Sequence, residues 1–120
     1  MAPVRRFAGY RQFWTFYVGE HRQSATRWLH FAGTTALLLT VLLALAFDQP
    51  WLLLACPPAA YGPAWIGHIL IEGNLPATFR YPLRSLIADF HMYGLMWLGR
   101  MDAEVDRLRA PGILGDTDRR

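Results

Sequence analysis

The feature that most limits what this chain can fold into is one long uncharged apolar run. From Trp28 to Phe47 there are 20 residues with a single histidine, His30, and no Asp, Glu, Lys or Arg. At about 1.5 Å rise per residue, a helix of that length spans about 30 Å, the thickness of a bilayer's hydrocarbon core. The run starts too far along the chain and is too long for a signal-peptide core, and no small-residue cleavage site follows it. The alternative is a buried helix in a soluble domain, and a chain of 120 residues has little with which to surround one.

A second apolar run, Trp51 to Ile71, follows after the short turn Asp48-Gln49-Pro50. Pro57-Pro58 and Gly62-Pro63 interrupt it, because proline has no backbone N–H and clashes with the preceding turn. The expectation is a bent second span or two short helices in series. Irregular backbone at membrane depth has to be buried in protein or line a cavity, so the break points toward a pocket, although a plain kink reads the same way.

Before the first run lies an aromatic stretch in which Phe7, Tyr10, Trp14 and Tyr17 follow helical spacing, with Arg5, Arg6 and Arg11 beside them. This reads as an N-terminal interfacial helix with aromatic and basic anchors. Glu20 to Thr26 is a polar break in which Ser24 or Thr26 suits a helix cap. After Gly73-Asn74-Leu75-Pro76, a further helix is expected from Pro82 to about Arg107. Arg84, Asp89 and His91 argue against a free span there and favour a C-terminal helix packed on the others. The expected fold class is therefore all-α: an integral membrane helical bundle of two main spans, the second broken by proline. One domain over residues 1–109 and a disordered tail over 110–120 complete the reading.

All twelve basic residues are arginine, and the net charge is +3. The arginines form no single stripe, which gives no nucleic-acid surface. They flank the apolar runs instead: Arg5, Arg6, Arg11, Arg22 and Arg27 before the first, and Arg80, Arg84, Arg100, Arg107 and Arg109 after the second. The positive-inside rule then places both termini in the cytoplasm and the Asp48 turn outside. Cys56 is the only cysteine, so an intrachain disulfide and a thiolate metal cluster are excluded.

This topology gathers His21, His30, His68 and Glu72 near one face. Ionisable residues inside membrane segments are rare and usually functional, and histidine is the commonest metal ligand near neutral pH. His68 and Glu72 are four residues apart, which on an α-helix puts both on one side. His21 and His30 are nine apart and would diverge on an unbroken helix, but the polar break lets both turn toward one point. Two or three imidazoles with one carboxylate suit Fe(II) or Zn(II), and two histidines with a carboxylate favour non-haem iron. His91 is a candidate further ligand or substrate partner; pairing with Asp89 or the backbone is the plainer alternative. For any one histidine, an ordinary hydrogen-bonded role is the competing explanation.

The segments Arg27-Trp28-Leu29-His30-Phe31-Ala32-Gly33-Thr34 and Gly67-His68-Ile69-Leu70-Ile71-Glu72-Gly73-Asn74-Leu75-Pro76-Ala77, with His21-Arg22 upstream, resemble the 2-hydroxy fatty acid dioxygenase family. The resemblance runs from about Tyr17 to Arg100. It implies an integral membrane enzyme, in a bacterial inner membrane, with Fe(II) held by His21, His30, His68 and Glu72. The implied reaction is oxidative removal of one carbon from a long-chain 2-hydroxy fatty acid, with O2 as co-substrate. Arg22, Arg27, Arg80 and Arg84 are candidates to pair with the substrate carboxylate. Membrane lipid is an expected partner, and an oligomer is compatible with the sequence. A second reading is a non-catalytic membrane protein whose histidines bind haem or structural zinc.

Overall fold

The computed structural model describes residues 6–109, and among them every regular element is helical. Helix α1 is Tyr10–Gly19 and α2 is Ser24–Ala46. A 3-10 turn at Pro50–Ala55 leads into α3, Cys56–Ile66, which continues as a π-helical segment, Gly67–Glu72. A 3-10 turn at Ala77–Phe79 precedes α4, Pro82–Trp97, and α5, Met101–Arg109. The expectations for Arg5 and for the tail lie outside the described residues.

Helix α2 is the apolar run. Of the described residues it is the one helix long and apolar enough to cross a membrane, and only 17% of its most apolar window is buried. A core helix of a soluble protein would be mostly covered. Here Leu42, Leu45, Phe47, Trp51 and Leu54 stand exposed toward the Asp48 turn.

The second apolar run is a series of short helical pieces, as expected of a proline-broken segment, but no helix in it is long and apolar enough to count as a second span. Pro57 and Pro58 open α3 instead of breaking it, since the first turn needs no N–H donors. Pro63 lies inside α3, and four residues later the hydrogen bonding relaxes into the π-helical segment. This compound element still packs antiparallel to α2. The close approaches are made by glycines: a Cβ on Gly33 would stand 2.5 Å from the Ala60 carbonyl oxygen, and one on Gly67 would stand 2.9 Å from Thr26 Cγ2. Pro63 leaves the Ala59 carbonyl without its helical donor, and that carbonyl also faces Gly33.

Helix α1 is more than a surface anchor. Phe13, Trp14, Tyr17 and Val18 are buried in a core with Ala88 and Met92 of α4 and Met101, Val105 and Leu108 of α5. The positions 13, 14, 17 and 18 form a face one step round from the stripe read in the sequence, and that face turns to protein. Trp14 Nε1 donates a 2.8 Å hydrogen bond to Glu104, so the indole N–H is satisfied inside.

The long C-terminal helix divides in two. Gly99 takes φ 69°, its N–H bonds to the Met96 carbonyl at 3.1 Å, and the Arg100 N–H bonds to Leu95 at 2.8 Å. This Schellman arrangement closes α4 and folds α5 back under α1.

Candidate metal centre

Three histidines from three elements meet at one point. His21 follows the end of α1, His30 lies in the second turn of α2, and His68 is in the π-helical segment. His30 Nε2 is 3.0 Å from His21 Nε2 and 3.1 Å from His68 Nε2. One ligand atom from each lies within 4.8 Å of the other two, and all three side chains are buried.

The other ring nitrogens fix what those Nε2 atoms can be. His21 Nδ1 is 2.7 Å from the Tyr17 carbonyl oxygen, which can only accept, so Nδ1 carries the proton. His68 Nδ1 is 2.7 Å from Asn74 Oδ1, again an acceptor. His30 Nδ1 faces the Asp89 carboxylate at 3.7 Å. The bare lone pairs of His21 and His68 therefore point at one place beside His30 Nε2. His30 can donate an Nε2 proton to either of them or give its own lone pair to a cation among the three, and a ring N–H held by an oxygen, as at His21 and His68, is how metal-bound histidines are oriented. Burial and the neighbouring His30 and His68 hold the His21 imidazole well below its ordinary pKa, which keeps it in the neutral form a metal needs.

Glu72 is not brought to this point. Its carboxylate accepts the Gln23 N–H at 2.7 Å, capping the start of α2. Glu72 is the last residue of the π-helical segment, just before the left-handed Gly73, and its carboxylate is taken up by the backbone at the start of α2. Ser24 and Thr26 make no cap hydrogen bond; Gln23 holds the N-cap position. His91 is also elsewhere, stacked on Trp14 at 3.8 Å and hydrogen-bonded to Tyr10 at 3.0 Å.

Arg27 is buried and fully engaged. It donates to the His21 and Arg22 carbonyls at 2.8 and 2.6 Å and pairs with Asp102 at 2.9 Å. It thereby holds the α1–α2 turn that presents His21.

A cavity of about 180 Å³ opens beside the histidines, between α2, α3 and α4. Its far walls are Leu37, Pro57, Ala60, Tyr61, Leu86 and Phe90. Near the histidines it is lined by Tyr17, Ser85 and Asp89, while Arg22, Arg27, Arg80 and Arg84 are not among its lining residues. Tyr17 donates its hydroxyl proton to Asp89, and burial pushes the Asp89 carboxyl up to about 7. Ser85 Oγ is buried without a hydrogen-bond partner among the described residues. Sequence reading missed Tyr17, Asp89, Ser85 and Asn74 as site residues. The signal for Asp89 was present, an acid within an apolar helical stretch, but it argued only against a span.

A family model described as "2-hydroxy-palmitic acid dioxygenase Mpo1-like" matches residues 7–101. No curated protein and no solved structure matches the chain. The match covers most of the sequence, and the chain belongs to this 2-hydroxy-palmitic acid dioxygenase Mpo1-like family.

Proposed function

We propose that this chain is a membrane-embedded, Fe(II)-dependent dioxygenase that removes one carbon from long-chain 2-hydroxy fatty acids. The observation that carries the reading is the meeting of three Nε2 atoms at the polar end of an otherwise apolar cavity. His21, His30 and His68 would hold the metal, three protein ligands with an open side, as catalytic metal sites have. Iron, when bound there, supplies the activation of O2.

The chain's own groups account for the rest. Leu37, Tyr61, Leu86 and Phe90 give the alkyl chain an apolar lining that excludes water from the polar end. Ser85 Oγ is a buried donor awaiting an acceptor, and it suits the substrate carboxylate better than the four arginines, none of which lines the cavity. Asp89 lines the cavity with its carboxyl pushed up to about 7 by burial, and it would take and return the proton of the 2-hydroxyl. The conversion R–CH(OH)–COOH + O2 → R–COOH + CO2 + H2O balances in atoms, and its four electrons match one O2, so no further reductant is required.

The exposed apolar surface of α2 supports insertion in a lipid bilayer, with the flanking arginines and the histidines toward the cytoplasm, as in a bacterial inner membrane. Structural zinc is disfavoured because such sites are closed by four protein ligands. Haem is disfavoured because the three nitrogens converge on a point and leave no flat gap between facing imidazoles. The test is oxygen uptake by anaerobically purified, Fe(II)-loaded protein given 2-hydroxypalmitate. Uptake with formation of the acid one carbon shorter is expected; bound iron with no uptake would reject the substrate.

A further inference from the structure

The π-helical segment ends at Gly73, which takes φ 76°, a left-handed conformation that suits glycine. That turn folds the chain back so that the Asn74 N–H bonds to the His68 carbonyl at 3.0 Å. The Asn74 side chain is thereby laid beside the imidazole six residues earlier, with Oδ1 2.7 Å from His68 Nδ1.

The direction of that amide is set from its other end. Asn74 Nδ2 donates to the Glu20 carbonyl oxygen at 3.2 Å and also to the Glu20 carboxylate. Both are acceptors only, so the amide cannot turn its NH2 toward the histidine without facing oxygen against oxygen. With Oδ1 fixed toward the ring, His68 Nδ1 must carry the proton and Nε2 must be bare. Glu20 is the neighbour of His21, so the same contact ties the π-helical segment to the turn that presents the first imidazole.

We propose that Asn74 and Glu20 are positioning residues that lock His68 in its Nδ1-protonated form and so set the metal affinity of the centre. The proposal rests on the three-histidine reading, and its test separates the two. The metal-free, full-length protein with 15N-labelled histidine is examined by NMR in detergent, His68 being assigned through a single substitution. Cobalt(II) affinity is measured in parallel by optical titration. Wild-type His68 should show the Nδ1–H tautomer. Asn74→Leu should abolish that preference and weaken cobalt(II) binding by about 10- to 100-fold.

The pair Glu20→Gln with Asn74→Asp reverses the polarity of the link. The new carboxylate still accepts from His68 Nδ1–H, and the new amide donates to it. This double variant should recover the Nδ1–H tautomer and part of the affinity, because the Glu20 backbone carbonyl that accepted from the Asn74 amide now meets a carboxylate oxygen. A merely structural role for Asn74 would give a loss that the swap fails to restore, and that result would overturn the proposal. So would an unchanged His68 tautomer in Asn74→Leu. Absence of cobalt(II) binding by the wild type would instead reject the metal centre, while the tautomer measurement would still decide the role of Asn74.

Discussion

Gly33 lies so close to Ala60 that a Cβ placed on it would stand 2.5 Å from the Ala60 carbonyl oxygen. The neighbour is backbone and cannot swing aside. Gly33→Ala should therefore push α2 away from α3, at a cost of about 1–3 kcal/mol, as overpacking does. Gly62→Ala provides the comparison, because nothing lies within 4 Å of its added Cβ. Thermal unfolding in detergent should show a lowered midpoint for the first and none for the second. Equal midpoints would contradict the close hairpin.

Glu72 caps α2 through the Gln23 N–H at 2.7 Å and lies outside the cluster that the three imidazoles form. Glu72→Ala should cost about 0.5–2 kcal/mol of stability, the range for losing a helix cap. Metal content per folded chain should stay at the wild-type level. Loss of metal with the fold intact would return Glu72 to the ligand set.

The contrast between Glu72 and the histidines shows what a sequence of this kind reveals. Histidines at the ends of apolar runs are conspicuous, because a polar ring there must have a partner, and His30 and His68 were legible on that ground, while His21 was legible only from the depth that the flanking arginines imply and from the family resemblance. The break after Glu20 was legible too, and it is what frees His21 to turn. The four-residue spacing pointed Glu72 toward His68, but its carboxylate is taken up by the Gln23 N–H, a long-range contact that spacing does not show. The Nδ1 partners of His68 and His30 were hidden because they depend on chain reversal at Gly73 and on the seating of α4, which brings Asp89 to His30. The division of the last helix did have a signal, Gly99, but a single glycine within an apolar helical pattern is often tolerated.

Arg27 links two carbonyls and Asp102 from inside the protein. A lysine carries one point charge and lacks the planar fork needed for all three contacts. Arg27→Lys should lower the unfolding midpoint by several degrees and loosen the His21 turn, seen as weaker metal binding. Unchanged stability and affinity would show that the fork does not hold the turn.

Acid should act on the centre late. The folded pKa of His21 is depressed by burial, so the unfolded chain binds more protons than the folded one as pH falls below about 6.5, the ordinary histidine value. The contribution of His21 to stability is thus present above that pH and declines as pH falls toward the folded value. While folded, the imidazole stays neutral, and metal should be retained at pH 6.5 and leave only well below it. Dialysis across a pH series with metal analysis measures this. Half-release at or above pH 6.5 would mean that the imidazole is not protected.

The most direct test of the central claim is metal stoichiometry in anaerobically purified protein and in His21→Ala, His30→Ala and His68→Ala. About one iron per chain is predicted for the wild type, with loss in each variant while detergent-solubilised protein retains its helical circular dichroism. A full equivalent of metal remaining when all three histidines are replaced would contradict the account.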